Sequence, residues 1–443
     1  MKNVLLLSLL TTALRFSAHA QTAPDLTDST ANFVVLKNAT IIDAVSDTGK
    51  KGSILIKDEK IETVDYNNTL TTPKGATTYD LEGKYIIPGL IDAHVHITHG
   101  TLKEAQAHLN TALKKGITGV RDMGGDGRML TLLQKNMKIG EDIGPDVFFS
   151  TIIAGPEFFE QDPRPQQVAK GAIAGEVSWL RAITDESDLR QIVAEAKGIG
   201  ATAIKVYLNV DKDLFKQVSD EAKNQGLKVW SHAVVPPTKA IDITNGGSDV
   251  MSHAGHLVQY EFVKGDIRGR HSFESREEVK AYRKKLSDKK WDENTKEVKE
   301  LFTAMKNNNS ILDATLFIYT FGLDPKVEDN VDSTSYHLGM QTVKTAYKYQ
   351  VKIGAGSDEM ISEDGTINLH KELELLTIAG LSNIDALRAA TIINAEGLGE
   401  EKNMGTIEAQ KLANLVILNS NPLENISNTQ DIKYVFKRGK VIE

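Results

Sequence analysis

Pro88-Gly-Leu-Ile-Asp-Ala-His94-Val-His96 is an apolar segment that carries two histidines at its end. Residues i and i+2 of a β-strand point to the same side, so His94 and His96 project into one space. Two imidazoles side by side make half of a metal site. The segment alone also fits two core histidines that are hydrogen-bonded to the backbone, and both interpretations stay open at this point.

The segment opens a longer region, residues 89–398, that repeats a pattern of apolar strand followed by amphipathic helix. The candidate strands are eight in number and cover residues 90–97, 119–123, 147–153, 203–208, 228–234, 250–253, 311–317 and 351–356. Alternating β and α units imply a parallel sheet, and a count of eight predicts a closed (β/α)8 TIM barrel. Two connections, 156–182 and 260–309, are unusually long, which is typical of loops that shape a site.

The two chain ends have a different sequence pattern from the barrel segment. Residues 31–88 and 399–443 consist of short apolar runs separated by turn residues. We predict that these ends pair into one small β-sandwich domain beside the catalytic barrel of residues 89–398.

Residues 1–20 have the pattern of a signal peptide. Lys2 is followed by an apolar run at 4–14 and by Ala18-His19-Ala20, which offers a cleavage site before Gln21. The prediction is an exported protein, periplasmic or secreted, with an uncleaved anchor as the alternative. No later segment approaches the ~20 apolar residues of a membrane-spanning helix, so no membrane insertion is expected after cleavage.

The composition of the chain argues against nucleic-acid binding and limits the ligands that a metal site can use. The formal net charge is −8 and falls further once Lys2 and Arg15 are removed, which argues against nucleic-acid binding. There is no cysteine, so a metal site must use imidazole and oxygen ligands, which suit zinc, manganese, iron or cobalt.

Further metal-capable residues follow the later candidate strands. His232, His253 and Asp358 each lie at the carboxyl end of a strand, which is the face on which barrel enzymes build their sites. Lys205 lies inside the apolar strand at 203–208, where an unpaired ammonium would be costly. Burial favours the neutral amine, and such an amine can capture carbon dioxide as a carbamate that bridges two metal ions.

These motifs resemble the amidohydrolase superfamily, in the version with two metal ions bridged by a carboxylated lysine. The segments that carry the resemblance are the one ending in His94 and His96, Gly116-Ile-Thr-Gly-Val-Arg-Asp122, Ile204-Lys205-Val, Gly356-Ser-Asp358 and Gly405-Thr-Ile-Glu-Ala. The chain is most similar to the imidazolonepropionase-related and prolidase-like branch, several of whose members are metallo-carboxypeptidases or dipeptidases. Ser357 and Asn414 depart from the commoner Gly-Thr-Asp and Ala-Asp motifs, but neither change removes a ligand.

The resemblance implies a site and a set of cofactors. His94, His96 and Asp358 would hold one divalent ion and His232 and His253 the other, with zinc expected and with a carbamate on Lys205 as the bridge. Asp358 is expected to be the catalytic base that orients the attacking water and carries its proton to the leaving amine.

Three further residues are candidates for substrate contact, each with an alternative. Arg121 could hold a substrate carboxylate, or pair with Asp122 or Asp126. Tyr207 could line the pocket or pack against the barrel wall, and His256 could reach the substrate or be a hydrogen-bonded loop residue. Of the other histidines, His99 is interpreted as a loop residue, and a set expected to face solvent comprises His108, His271, His337 and His370.

The favoured function is hydrolysis of an amide bond in a small molecule, either a peptide or an N-acyl amino acid. The alternatives are a cyclic amidase or deaminase on the same scaffold and a non-catalytic exported binding protein. Because barrels of this kind often associate, a homo-oligomer is also among the expectations.

Overall fold

The computed structural model describes residues 32–261, 278, 281, 292–323, 333–360 and 367–442. The proposed signal peptide, His271 and most of the long connection at 260–309 lie outside these residues. Within the described part of the chain, no helix is both long enough and apolar enough to cross a bilayer.

The two chain ends form one sheet. Its strands are β1 (Phe33–Ile41), β2 (Lys50–Lys57), β3 (Lys60–Asp65), β4 (Thr77–Asp80), β5 (Tyr85–Pro88), β17 (Leu415–Leu418), β18 (Ile432–Lys437) and β19 (Lys440–Ile442). Strand β17 pairs antiparallel with β5, which joins the two ends of the chain. A separate apolar cluster, including Leu36, Ile54 and Phe436, fills this domain.

The central segment forms the parallel barrel. Its strands are β6 (Leu90–His96), β7 (Ile117–Asp122), β8 (Asp146–Ala154), β11 (Ala203–Val206), β12 (Lys228–His232), β13 (Val250–Ser252), β14 (Ile311–Asp313), β15 (Ile353–Gly354) and β16 (Glu359–Met360). Neighbours follow one another in this order, and β16 returns to pair with β6. The predicted fold, a TIM barrel with a small domain made from both chain ends, is confirmed.

Helices surround the barrel and connect its strands. They are α1 (Leu102–Lys114), α2 (Gly127–Ile139), α3 (Pro156–Gln161), α4 (Pro163–Ala169), α5 (Leu189–Gly198), α6 (Lys212–Asn224), α7 (Ala240–Asn245), α8 (Ala254–Glu261), α9 (Lys296–Asn307), α10 (Ser333–Lys348), α11 (Leu369–Ile378), α12 (Asn383–Ala389) and α13 (Ile392–Leu398). In α6, Leu214, Val218 and Ala222 recur at helical spacing on the buried face. Asp211 accepts hydrogen bonds from the first turn and so fixes the start of that helix.

Strands β14 and β15, which correspond to the last two predicted strands, are shorter than the sequence predicts. Strand β14 ends at Asp313 because Thr315 adopts a left-handed conformation, with φ of +46°, and a 3₁₀ turn starts at Phe317. The chain between β15 and β16 also leaves regular strand geometry, since Asp358 has φ of +54°. Hydrogen bonds from Ala93 N to Ala355 O (3.3 Å) and from Asp358 N to His94 O (2.8 Å) keep this segment against β6 and close the barrel.

The long connection after β8 has its own structure. It contains α3, α4 and a short hairpin, β9 (Glu176–Val177) and β10 (Leu180–Ala182), and β10 pairs with β8. Phe158, Trp179 and Leu180 bury a local apolar cluster beneath it. The connection is therefore a packed insertion above the carboxyl end of a barrel strand.

Candidate metal centre

Three of the predicted ligands meet at the end of β6. Asp358 Oδ1 lies 3.3 Å from His94 Nε2 and 3.3 Å from His96 Nε2. His94 is fully buried, whereas the side chain of His96 is 20% exposed, so the group lies at the floor of an open site. One ligand-type atom from each of the three residues falls within 4.8 Å of the others, a spacing that fits a metal ion.

The orientation of His94 is set by an acid that the sequence did not reveal. His94 Nδ1 lies 2.6 Å from Oδ2 of Asp313, the last residue of β14. When Asp313 is ionised, it accepts a hydrogen bond from the Nδ1 proton, and the lone pair on Nε2 is left for a ligand. Burial raises the pKa of Asp313 to about 7 and holds the pKa of His94 well below its usual range.

The surroundings of the His94 Nε2 atom show whether a cation fits at this position. It is buried and has no hydrogen-bond partner among the described residues. A buried polar atom without a partner is costly unless something else binds it. Two imidazoles and a carboxylate form a donor set that zinc and its neighbours prefer. The residues present therefore fit a divalent metal ion.

His232 and His253 bring two more imidazoles to the same space. Their ring centroids are 4.6 Å apart, and the His253 ring lies 4.9 Å from that of His94. His253 Nδ1 is 3.0 Å from Thr315 Oγ1 and 3.7 Å from Asp358 Oδ2. Burial lowers the pKa of both histidines well below the ordinary value, so both are neutral, as ligands must be.

Lys205 lies on β11 with 2% of its surface exposed. Lys205 is paired in register with Trp230 on the adjacent strand, and His232 lies two residues after Trp230. Because residues two apart on a strand share a face, the side chains of Lys205 and His232 both face the barrel interior. Burial lowers the pKa of Lys205 to about 8, although the charges of Asp358 and Asp313 oppose that shift. A fraction of the amine is therefore neutral near pH 7, the form that can react with carbon dioxide.

The backbone at the site is held in unusual conformations. His253 has φ of +77° and Asp358 has φ of +54°, a region that costs a non-glycine residue about 1–3 kcal/mol. Hydrogen bonds from the strands enforce both: His253 N donates to Asp313 O (3.0 Å), and Asp358 N donates to His94 O. Ser357, beside Asp358, is fixed by buried Asp92 at 2.6 Å. The fold thus directs the side chains of His253 and Asp358 toward the same site, and the strained backbone at these two residues is the energetic cost.

Tyr207 and His256 lie beside the cluster. The Tyr207 ring is 5.1 Å from that of His232 and also contacts Phe158 at 4.8 Å, so it both borders the site and packs against the insertion. His256 stacks on His232, with ring centroids 5.4 Å apart. Both remain candidates for substrate contact.

The position of Arg121 matches neither of the roles predicted from the sequence, which were contact with a substrate carboxylate and an ion pair with Asp122 or Asp126. Its guanidinium is fully buried in the barrel interior, 3.8 Å from the Trp230 ring, and Nη2 donates to Gly397 O at 3.4 Å. It has no exposed surface with which to reach a substrate carboxylate. Asp126 pairs with Arg128 instead. Arg121 points inward because strand alternation puts it on the same face as interior Met123.

The remaining histidines divide into two groups. His99 lies in a loop and His337 is exposed, as predicted. The expectation of solvent exposure is wrong for His108, which is buried 3.2 Å from Glu359, and for His370, which contacts Thr429 Oγ1 and Lys115 O at 2.9 Å. These partners are 59 to 255 residues away in the chain, so helix position alone did not reveal them.

A barrel whose strand ends bring four histidines, a lysine and an aspartate together defines a class of barrel hydrolases. The chain belongs to the amidohydrolase family, whose model matches residues 85–442. This confirms the resemblance to the amidohydrolase superfamily.

Solved structures of prolidase-like amidohydrolases share the fold. A Xaa-Pro dipeptidase with bound methionine superposes with a TM-score of 0.71 at 21% identity, covering 93% of this chain and all of that one. A putative prolidase from Bifidobacterium longum gives a TM-score of 0.68 at 23% identity, covering 93% and 94% of the two chains.

Curated relatives are more distant or match only in part. A 5'-deoxyadenosine deaminase from Methanobrevibacter smithii is 23% identical over 429 residues, which is 88% of this chain and 85% of the relative. An adenine deaminase from Desulfatibacillum aliphaticivorans is 36% identical over 87 residues, and this chain spans 14% of its length. An imidazolonepropionase from Staphylococcus aureus is 35% identical over 94 residues, 21% of each chain.

Proposed function

We propose that this protein is a metal-dependent hydrolase that cleaves the amide bond of a peptide or an N-acyl amino acid. The observation that carries the proposal is the meeting of Asp358 with His94, His96 and His253 at the mouth of the barrel. The prolidase-like structural neighbours support the choice of an amide substrate.

Each residue of the centre has a distinct part in the proposed reaction. His94, His96 and Asp358 would hold one divalent ion, zinc or a neighbour, and His232 and His253 a second. When bound, such ions supply Lewis acidity that activates water and polarises a carbonyl. Asp358 remains a carboxylate because, although burial raises its pKa, the neighbouring His94 and His96 lower it overall. It can therefore accept the proton of the attacking water and deliver it to the leaving nitrogen.

Lys205 would link the two halves of the centre. Its neutral amine adds to carbon dioxide, forming one N–C bond and releasing one proton, and the resulting carbamate offers two oxygen atoms. Lys205→Ala should therefore lower the bound divalent metal from two ions per chain to one or fewer. Metal analysis of the purified protein checks this, with Lys170→Ala as the control, because Lys170 lies on the insertion and donates to Gly100 O. Two ions in the Lys205→Ala variant would exclude the bridge.

Turnover tests the function itself. A panel of dipeptides and N-acyl amino acids should be hydrolysed by the metal-loaded protein, and a strong chelator should abolish the activity. Activity that survives complete metal removal would contradict the proposal. A loaded protein that binds these compounds without cleaving them would indicate a non-catalytic binding protein.

A second candidate is deamination, which the 5'-deoxyadenosine and adenine deaminase relatives favour. It is also a hydrolysis at carbon, with ammonia as the leaving group. The two candidates are separated by assaying ammonia release from adenine nucleosides beside amine release from the amide panel. A lysine-bridged pair of metal ions, if the metal analysis finds one, would favour amide hydrolysis, because related deaminases commonly use one ion.

The proposed place of action is outside the cytoplasm. Support comes from the signal-peptide pattern of residues 1–20 alone. Expression of the full sequence in a Gram-negative host should give a periplasmic product whose first residue is Gln21. N-terminal sequencing of the fractionated protein checks this, and a product that retains residues 1–20 in the membrane would indicate an anchor instead.

A further inference from the structure

The insertion after β8 fixes a cation beside the candidate metal centre. Arg164 is the second residue of α4, and its Nε donates to the two carboxylate oxygens of Asp162 at 3.0 and 2.9 Å. Asp162 is only 1% exposed, whereas the Arg164 side chain is 53% exposed. Asp162 also accepts from the Arg164 backbone N–H at 2.9 Å. A buried anchor therefore holds a solvent-accessible guanidinium in one position.

Arg164 is one side chain away from the histidine cluster. Tyr207 is a neighbour of Arg164, and the Tyr207 ring is 5.1 Å from that of His232 and 5.4 Å from Lys205 Nζ. Arg164 therefore lies beside the candidate metal centre.

The guanidinium keeps binding capacity after Asp162 is satisfied. Asp162 uses the N–H of Nε and one N–H of Nη2, and a guanidinium has five such donors, so the two on Nη1 and the second on Nη2 remain. A planar fork of donors matches the two oxygens of a carboxylate. Lys170, at the carboxyl end of α4 on the same insertion, adds a second positive charge. Phe158, on the same insertion, packs against Tyr207 and adds an apolar surface there.

We infer that Arg164, together with the Tyr207 hydroxyl, binds a carboxylate of the substrate. The protein would then prefer amides with a free carboxylate near the scissile bond, as in a dipeptide or an N-acyl amino acid, over neutral amides of the same shape. This inference rests on the proposed amide hydrolysis and names the substrate class. The role that the sequence suggested for Arg121 is thereby transferred to an arginine on the insertion.

The experiment compares an N-acyl amino acid with its carboxamide, which lacks only the negative charge. In the wild type, kcat/KM should be about 10- to 100-fold higher for the acid, the range of a charge-assisted hydrogen bond. Arg164→Gln should remove most of that preference by raising KM for the acid, while the carboxamide is nearly unaffected. Arg164→Lys should retain part of the preference, because it keeps the charge and loses the fork.

Arg128 provides a matched control. It is the second residue of α2, its helix begins after Asp126, it pairs bidentately with that acid, and its side chain is 54% exposed. It also donates to Ala169 O and Lys170 O at 3.2 Å, so Arg128→Gln loosens the insertion without removing Arg164. Arg128→Gln should change the two substrates by the same factor. A matching loss of preference in both variants would mean that only the shape of the insertion matters.

Binding measured by calorimetry keeps the inference independent of turnover. If the loaded protein hydrolyses neither compound, the proposed function fails, yet a preference for binding the acid that disappears in Arg164→Gln still supports the carboxylate site. Equal affinity of the wild type for acid and carboxamide overturns the inference, whether or not both are hydrolysed. An unchanged preference in Arg164→Gln overturns it as well.

Discussion

His94 shows how a neighbour selects the chemistry of one side chain. Its Nδ1 is bound to the buried carboxylate of Asp313, and its Nε2 faces Asp358. Without the acid, either ring nitrogen could carry the proton, and the ring could rotate. Second partners of this kind raise the affinity of a ligand for its metal because they fix the tautomer and orientation before binding.

Asp313→Ala should therefore weaken metal binding by about 10- to 100-fold. Asp313→Asn should lie in between, since its amide oxygen still accepts from Nδ1 but carries no charge. Competition with a metal indicator dye gives the affinities. The control is Asp249→Asn, at the opposite end of the neighbouring strand β13, where the carboxylate accepts from Val229 N at 2.8 Å. Equal metal affinities in Asp313→Ala and the wild type would contradict this role.

The sequence revealed ligands that stand at the ends of apolar strands. His94, His96 and Asp358 were recognisable because strand geometry and family motifs specify their positions. Asp313 was missed because a lone acid after Ile311 and Leu312 has no spaced partner in the sequence. Its value depends on His94, which is 219 residues away in the chain. Long-range pairing of this kind becomes visible only in the fold.

At the scale of elements, the alternation of strand and helix was predictable, whereas the ends of β14 and β15 were not. Apolar runs mark a buried parallel strand because both of its faces are covered. They do not mark where the strand stops, which depends on tertiary bonds at the site. Beyond β14, the backbone N–H groups of Leu316 and Phe317 donate to the two carboxylate oxygens of Glu372 on α11, at 3.0 and 2.7 Å.

Glu372 gives an element-scale prediction about pH. Burial raises its pKa to about 8, although its bonds to Leu316 and Phe317 oppose the shift. The folded state therefore binds a proton that the unfolded state has released above its ordinary pKa of ~4.3. Its contribution to stability is present below that pH and is lost as the pH rises towards 8. Glu372→Gln cannot titrate, so its stability relative to the wild type should increase between pH 5 and pH 8.

Urea unfolding of the metal-free protein at several pH values measures this difference. Glu374→Gln, on the same helix, is the control. Burial raises the pKa of Glu374, but its bonds with Lys371 and Ser427 lower it overall, so that group stays ionised throughout this range. The control should show a constant offset from the wild type between pH 5 and pH 8. A constant offset for Glu372→Gln as well would show that Glu372 does not titrate in the folded protein.

At the scale of the whole molecule, a buried ionic group joins the small domain to the barrel. Lys437, on β18, donates to Asp146 at the start of β8 and to Thr118 O at 3.0 Å. Arg438 donates to the other oxygen of Asp146 at 3.0 Å and to Glu59 at 3.1 Å. Asp146 lies at the amino end of its strand, the end of the barrel opposite the candidate metal centre. The pattern of short apolar runs predicted that both chain ends form one domain. It did not indicate that Lys437 and Arg438 attach this domain to Asp146 of the barrel.

Asp146→Ala should lower the free energy of unfolding by about 3–5 kcal/mol, since it leaves the buried Lys437 ammonium without its counter-charge. The turnover of the folded enzyme should be nearly unchanged at low temperature, because barrel enzymes separate the face that carries stability from the face that carries chemistry. Urea unfolding and kcat, measured on the same preparation, give both quantities. Lys51→Ala, which removes an exposed pair with Glu82 on the same domain, should leave the unfolding midpoint where it was. If Asp146→Ala instead lost turnover while keeping its stability, the small domain would act on the site through the barrel rather than simply support it.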